Sequence, residues 1–167
     1  RYAAECILRL GDLVTWWATM NEPMILIYMA YIGKAWPPGL GSLPAGRTAL
    51  INQMKAHHAA YVLGKAIQPK SQIGLVINMP AFDPERESAL DRLVVRAQDY
   101  IMNGLTVKAM DEGVLPLPLS FNGHKLVGGP RAADWFGLNY YGQYRVQFDP
   151  RMTGELFGRQ VQVGIRT

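Results

Sequence analysis

Three short apolar runs, each ending in polar residues or directly followed by them, recur along this chain. They span Leu13–Met20, Gln72–Asn78 and Asp134–Tyr141. Their length and their β-branched and aromatic side chains predict fully buried strands. Apolar residues at helical spacing predict helices over Arg1–Leu10, Arg47–Ile67 and about Glu85–Met110, with a break near Gly104, and Pro23 predicts the first turn of a shorter helix.

The remaining segments are predicted to form loops and a pair of strands, which we call the two-stranded excursion. Trp36–Pro44 is too rich in proline and glycine for regular structure. Gln143–Phe148 and Gln160–Ile165 alternate apolar and polar residues, which predicts two strands around Pro150 and Gly154. The order strand, helix, strand, helix, strand predicts a parallel sheet with helices outside. Periodicity alone leaves a doubly wound sheet and part of a (β/α)₈ barrel equally open.

Composition narrows the class of protein. The 167 residues are 49% hydrophobic and 18% charged, which is typical of a globular domain. The net charge of +4 comes from scattered basic residues, so we expect no nucleic-acid partner. A single cysteine, Cys6, excludes an internal disulfide, and we expect no metal or cofactor. The apolar run Met24–Ile32 is about half the length of a membrane span, so we expect a cytoplasmic protein without a membrane partner.

The candidate chemistry lies where the predicted strands end. The first ends in Asn21-Glu22, the second in Asn78, and the third in Asn139-Tyr140-Tyr141. The carboxyl ends of parallel strands meet at one edge, so these groups are expected to line one pocket. Carboxylate, amide and phenol groups suit a sugar, whose hydroxyls both donate and accept hydrogen bonds.

Several separated segments, in order, resemble glycoside hydrolase family 1, the β-glucosidase and β-galactosidase family of retaining (β/α)₈ enzymes. The carriers are Trp17–Pro23, Tyr31–Gly39, His57–Tyr61, Ile73–Asn78 with Asp83-Pro84, and Asp134–Tyr141. The resemblance implies that residues 1–167 form a partial (β/α)₈ catalytic domain. It would contain about strands four to six with their helices, without the earlier and later strands.

The resemblance also implies roles for individual residues. Glu22 would be the general acid/base, and Asn21 would bind the sugar 2-hydroxyl. Tyr141 would hydrogen-bond the nucleophilic carboxylate, and Asn78 and Asn139 would be supporting polar residues of the pocket. The family's nucleophile stands in a Glu-Asn-Gly context, and this chain contains no Glu-Asn-Gly.

The predicted function is therefore β-glycoside hydrolysis by an enzyme to which this chain contributes the acid/base. We expect the isolated chain to be inactive, and to self-associate if its sheet edges are exposed. The alternative is a non-catalytic carbohydrate-binding or structural remnant of such an enzyme. A cofactor-binding doubly wound domain has less support, because no Gly-x-Gly-x-x-Gly follows a strand.

Overall fold

Helices and strands alternate through the computed structural model, which describes residues 1–164. The helices are α1 (Tyr2–Leu10), α2 (Pro23–Leu26), α3 (Leu43–Ile67), α4 (Ala89–Asp99) and α5 (Leu105–Glu112). The strands are β1 (Trp16–Asn21), β2 (Gln72–Asn78), β3 (Ala81–Pro84), β4 (Trp135–Asn139), β5 (Gln143–Phe148) and β6 (Gly158–Gly164). Two π-helical segments, Ile27–Ile32 and Tyr100–Gly104, continue α2 and join α4 to α5.

Contacts between Cα atoms divide the chain into two compact units. The first comprises Arg1–Ile77 and Thr106–Leu138, and the second comprises Asn78–Leu105 and the chain from Asn139 onward. The expectation of a single domain over residues 1–167 stays a prediction. No helix within residues 1–164 has the length and apolar character required to cross a membrane.

The sheet of the first unit has the order β1-β2-β4, with β1 parallel to β2. The prediction of a fully buried strand is correct for β2. This strand lies between β1 and β4, and its Ile73, Leu75 and Ile77 are buried. The prediction is wrong for β1 and β4, where Trp16 is 63% exposed and Leu138 is 65% exposed. Each of these strands has one partner strand among residues 1–164, so part of its surface stays uncovered.

Helix α3 packs closely on β2 and α1 because Gly64 has no side chain. A Cβ atom at this position would lie 2.4 Å from Ile73 Cδ1 and 2.9 Å from Ile7 Cδ1. The helix begins four residues before the predicted Arg47, since Ser42 caps it and the first helical turn tolerates a proline. Leu50, Met54 and His57 lie on its buried face, whereas Val62 is exposed.

Asp134 ties the end of α3 to the start of the sheet. Its carboxylate accepts hydrogen bonds from the Ile73 N–H at 2.8 Å and the Tyr61 hydroxyl at 3.1 Å. The Lys65 ammonium lies 2.7 Å from the same carboxylate. Burial raises the pKa of Asp134, but these three partners outweigh it and lower the pKa overall.

The second unit contains the sheet β3-β5-β6. Strand β3 runs parallel to β5, and β5 pairs antiparallel with β6, from Gln143 to Phe148. The predicted excursion is therefore confirmed, except that Ile165 lies outside the described residues. The break predicted near Gly104 coincides with the end of the π-helical segment.

The start predicted for the long helix, at about Glu85 directly after Asp83-Pro84, is wrong, because Asp83 and Pro84 belong to β3 and the helix begins later. Helix α4 begins at Ala89, four residues after Glu85, where the Ser88 hydroxyl accepts a hydrogen bond from the Asp91 N–H at 3.0 Å. Asp91 is fully buried and binds Arg86 through its guanidinium and its backbone N–H. These contacts hold the segment before the helix in a turn.

Candidate active site

A β-bulge precedes the Asn21-Glu22 pair on β1. Ala18 pairs with Gly74 on β2, and Asn21 is the next residue to pair, with Val76. Three steps along β1 therefore match two steps along β2, which leaves one extra residue in β1. An extra residue of this kind bends a strand and turns its following side chains to a new direction.

Glu22 follows the bulge in a left-handed backbone conformation, with φ 47° and ψ 59°. Its N–H donates to the Val76 carbonyl at 2.8 Å, and its own carbonyl accepts from the Ile25 N–H at 3.0 Å. Left-handed geometry costs a residue with a Cβ roughly 1 kcal/mol or more and is frequent at functional sites. The surrounding hydrogen bonds hold this half-buried carboxylate residue at the carboxyl edge of the sheet, between β1 and α2.

His57 of α3 connects the bulge to the segment that leads into β4. Its Nε2 atom lies 2.6 Å from the Ala132 carbonyl oxygen, and its Nδ1 atom lies 2.6 Å from the Thr19 hydroxyl oxygen. Burial is the main cause that lowers the pKa of His57 to about 4, with a smaller lowering from His58 and an opposing hydrogen bond to Ala132. The imidazole is therefore neutral at pH 7.

The neutral state fixes which nitrogen carries the proton. A carbonyl oxygen only accepts hydrogen bonds, so Nε2 must donate to Ala132 and Nδ1 must accept from Thr19. The Thr19 hydroxyl has a single hydrogen, which it donates to the hydrogen bond with His57 Nδ1. The Gly74 carbonyl, 3.2 Å from the same hydroxyl oxygen, is then a close neighbour and not a hydrogen-bond acceptor.

A cavity of about 520 Å³ lies beside this link, between α1, β1 and α3. Its lining is mostly apolar and includes Trp17, Leu63 and Cys6. Neither Asn21 nor Glu22 lines it. A sugar needs hydrogen-bonding groups around its hydroxyls, so this cavity is not where the predicted chemistry would take place.

Three predicted site residues belong to the second unit. The Met79 N–H donates to the Asn139 carbonyl at 3.1 Å, which brings the ends of β2 and β4 side by side. The Oδ1 atom of Asn78 is buried and has no hydrogen-bond partner within residues 1–164. Asn139 is half-buried, and Tyr141 is 55% exposed. An unpartnered buried amide oxygen is unusual, and a polar ligand would satisfy it.

The structure thus brings together Asn21 and Glu22 in the first unit, and Asn78 and Asn139 in the second. The roles of these residues and of Tyr141 stay predictions. Within residues 1–164, no group of three or more His, Cys, Asp or Glu side chains is arranged to hold a metal ion.

His57 is fully buried, and sequence patterns alone assigned it no role in the site. Sequence patterns did not reveal the contact of His57 with β1, the strand that leads into Asn21-Glu22. His57 and Thr19 are 38 positions apart, and no local pattern connects them. The one available signal was helical spacing, since His57 lies three residues after the buried Met54.

Comparison with known proteins places these segments in a larger context. The model of glycosyl hydrolase family 1 matches residues 1–161. A β-galactosidase from Pyrococcus woesei is 26% identical over 167 residues, covering 91% of this chain and 32% of the relative. β-Glucosidase 47 from Arabidopsis thaliana is 30% identical over 163 residues, covering 84% of this chain and 30% of the relative.

A solved Thermotoga maritima family 1 glycoside hydrolase, in complex with a cyclophellitol analogue transition-state mimic, has a TM-score of 0.79 and 25% identity. The match covers 96% of this chain and 38% of that protein. The chain therefore spans about a third of the length of its relatives. Such neighbours are (β/α)₈ barrels, so the predicted fold, an α/β fold that is part of a (β/α)₈ barrel, is confirmed.

Proposed function

Because the chain belongs to glycosyl hydrolase family 1, we propose that it supplies the general acid/base of a retaining β-glycosidase, with Glu22 in that role. The observation that carries the proposal is the conformation of Glu22, left-handed and hydrogen-bonded at the carboxyl edge of a parallel sheet. The substrate class is a small-molecule β-glycoside, as the names of the relatives suggest.

The reaction proceeds in two balanced steps. In the first, a second carboxylate attacks the anomeric carbon, the glycosidic C–O bond breaks, and the Glu22 carboxyl gives its proton to the leaving oxygen. In the second, the Glu22 carboxylate takes a proton from water as the water oxygen attacks the anomeric carbon and displaces the second carboxylate. Glu22 ends each cycle protonated again.

The other four residues bind and orient the sugar in this proposal. Asn21 holds the 2-hydroxyl, and Tyr141 hydrogen-bonds the second carboxylate. Asn78 and Asn139 offer amide groups at adjacent strand ends, and the unpartnered oxygen of Asn78 supports such a role.

Residues 1–167 contain no Glu-Asn-Gly segment, so we expect this chain alone not to hydrolyse glycosides. The alternative function, a carbohydrate-binding remnant, is favoured by the same feature. We further propose a cytoplasmic location, no nucleic-acid partner, and self-association through the edge strands β1 and β4. Light scattering coupled to size-exclusion chromatography tests the last point, and a monomer would contradict it.

The decisive experiment compares Glu22→Gln with wild type in the longest natural gene product that contains this chain. General acid/base catalysis contributes about 10²–10⁴-fold, so kcat/KM on aryl β-glucosides with poor leaving groups should fall by about that factor. Activated leaving groups need less protonation and should be affected less. Glu5→Gln, on the exposed face of α1, is the matched control and should leave both rates unchanged.

Two results would contradict parts of the proposal: the first bears on the role of Glu22, and the second on the expected inactivity of this chain alone. One is a Glu22→Gln enzyme with wild-type rates on both classes of leaving group. The other is glycoside turnover by residues 1–167 that Glu22→Gln abolishes, since that chain would then hold a nucleophile of its own. Calorimetry with a glycosidase inhibitor tests the alternative, which predicts binding by a gene product that shows no turnover.

A further inference from the structure

The bulge in β1 is anchored from outside its own sheet. Its ladder partner β2 offers Thr19 only the Gly74 carbonyl, 3.2 Å from the hydroxyl oxygen. The closer contact is His57 Nδ1 at 2.6 Å, from a helix that is packed against the strand. Thr19 lies two residues before Asn21 and three before Glu22, so the anchor is directly upstream of the motif.

The anchor is rigid at its other end. His57 is fully buried, and its second nitrogen donates to the carbonyl of Ala132, which is 1% exposed. The imidazole thus joins three separate stretches of the first unit: β1, α3 and the segment before β4. A side chain held at both ring nitrogens has one ring orientation, and it offers Thr19 a fixed acceptor.

We propose that His57 is a positioning residue that fixes the bulge at Thr19 and thereby the direction in which Asn21 and Glu22 leave β1. The importance of this direction for catalysis rests on the proposed function. The link itself does not, because it is a contact of this chain that is measurable without substrate.

The amide proton of Glu22 reports the geometry of the bulge. It donates to Val76 immediately after the bulge, at 2.8 Å. The amide of Gln72 donates to Thr15, also at 2.8 Å, at the other end of the same two strands. The ratio of the two hydrogen-exchange rates therefore separates local opening at the motif from unfolding of the whole sheet.

Two substitutions at His57 each keep one half of its hydrogen bonding. In His57→Asn the amide oxygen can take the place of Nδ1 and accept from Thr19, while the bond to Ala132 is lost. In His57→Gln the amide nitrogen can take the place of Nε2 and donate to Ala132, while the bond to Thr19 is lost. Both variants leave a shorter or narrower side chain in the same buried site, so each controls for the other's loss of packing.

We expect His57→Gln to raise the exchange rate of the Glu22 amide about tenfold relative to the Gln72 amide, the effect of losing one buried hydrogen bond. His57→Asn should leave this ratio within about threefold of wild type. Thr19→Val should reproduce the effect of His57→Gln, and Thr19→Ser, which keeps the hydroxyl, should restore the wild-type ratio. If Gln and Asn at position 57 change the ratio equally, or Thr19→Val leaves it unchanged, the positioning role is refuted.

The catalytic consequence is measured in the longest gene product. His57→Gln should lower kcat with little change in KM, and His57→Asn should retain more of kcat. Tyr61→Phe serves as the control, since it removes a hydrogen bond from the same helix without touching β1. If Glu22→Gln proves harmless while the exchange ratios behave as expected, the proposed function fails and the anchoring of the bulge stands.

Discussion

The buried histidine of α3 makes stability depend on pH in a calculable way. The ordinary pKa of His57 is 6.5, and burial lowers it to about 4 in the folded chain. Between these values the unfolded chain binds one more proton than the folded chain, so stability rises with pH. The contribution is complete above pH 6.5 and is lost as the pH falls towards 4.

The magnitude follows from the difference of about 2.5 pKa units, which corresponds to about 3 kcal/mol at 1.36 kcal/mol per unit. That is a large fraction of the roughly 5–15 kcal/mol that stabilises a typical domain. Asp91 and Asp134 also have lowered pKa values, so they too lose stabilising interactions as the pH falls. A wild-type curve alone therefore does not isolate the histidine.

The assay is urea denaturation of wild type and His57→Gln from pH 4 to pH 7. As the pH is lowered, the free energy of unfolding of wild type should fall more steeply than that of His57→Gln, and the slopes should differ by up to about 1.4 kcal/mol per pH unit in the middle of this range. His124→Gln, at an exposed histidine, is the matched control and should keep the wild-type slope. Equal slopes for wild type and His57→Gln would refute the assignment of a neutral, buried imidazole.

Two further substitutions test the packing inside each of the two units, one substitution for each unit. In the first, Gly74→Ala would place a Cβ 2.2 Å from the Trp135 carbonyl oxygen, so thermal unfolding should show that the folded state loses about 2 kcal/mol of stability or more. The control is Gly154→Ala, which has no atom within 4 Å of the new Cβ and should be neutral. Equal melting temperatures for the two variants would contradict the close contact at Gly74. In the second, Asp91→Asn removes a fully buried carboxylate with a 2.7 Å ion pair and should lower the free energy of unfolding by about 2 kcal/mol, measured in urea. Glu87→Gln, at the exposed end of another ion pair, should leave the urea midpoint unchanged, and a larger effect there than at Asp91 would overturn the argument.

Local signals in the sequence located most of the elements. The strand Gln72–Asn78 was predicted with its observed bounds, because it is paired on both edges and buried as its apolar pattern requires. The helix that ends at Ile67 and the excursion that contains β5 were also predicted. The start of α4 was missed because Pro84, a good first helical residue, is used in β3 instead, and Ser88 caps the helix.

The motif residues Asn21-Glu22-Pro23 and their place at the end of a strand came from sequence alone. Polar residues at the carboxyl end of a strand lie at one edge of a parallel sheet, so order along the chain was sufficient to place them there. Family membership also required only the sequence, because the matching segments occur in the family's order.

The tertiary structure decided how that motif is held. The bulge depends on the register between β1 and β2, and the left-handed Glu22 depends on hydrogen bonds to Val76 and Ile25. The anchor at His57 joins residues that lie 38 and 75 positions apart. Hydrophobic periodicity reports which residues are buried, but register, strain and the partners of a buried polar group arise only when distant segments pack against one another.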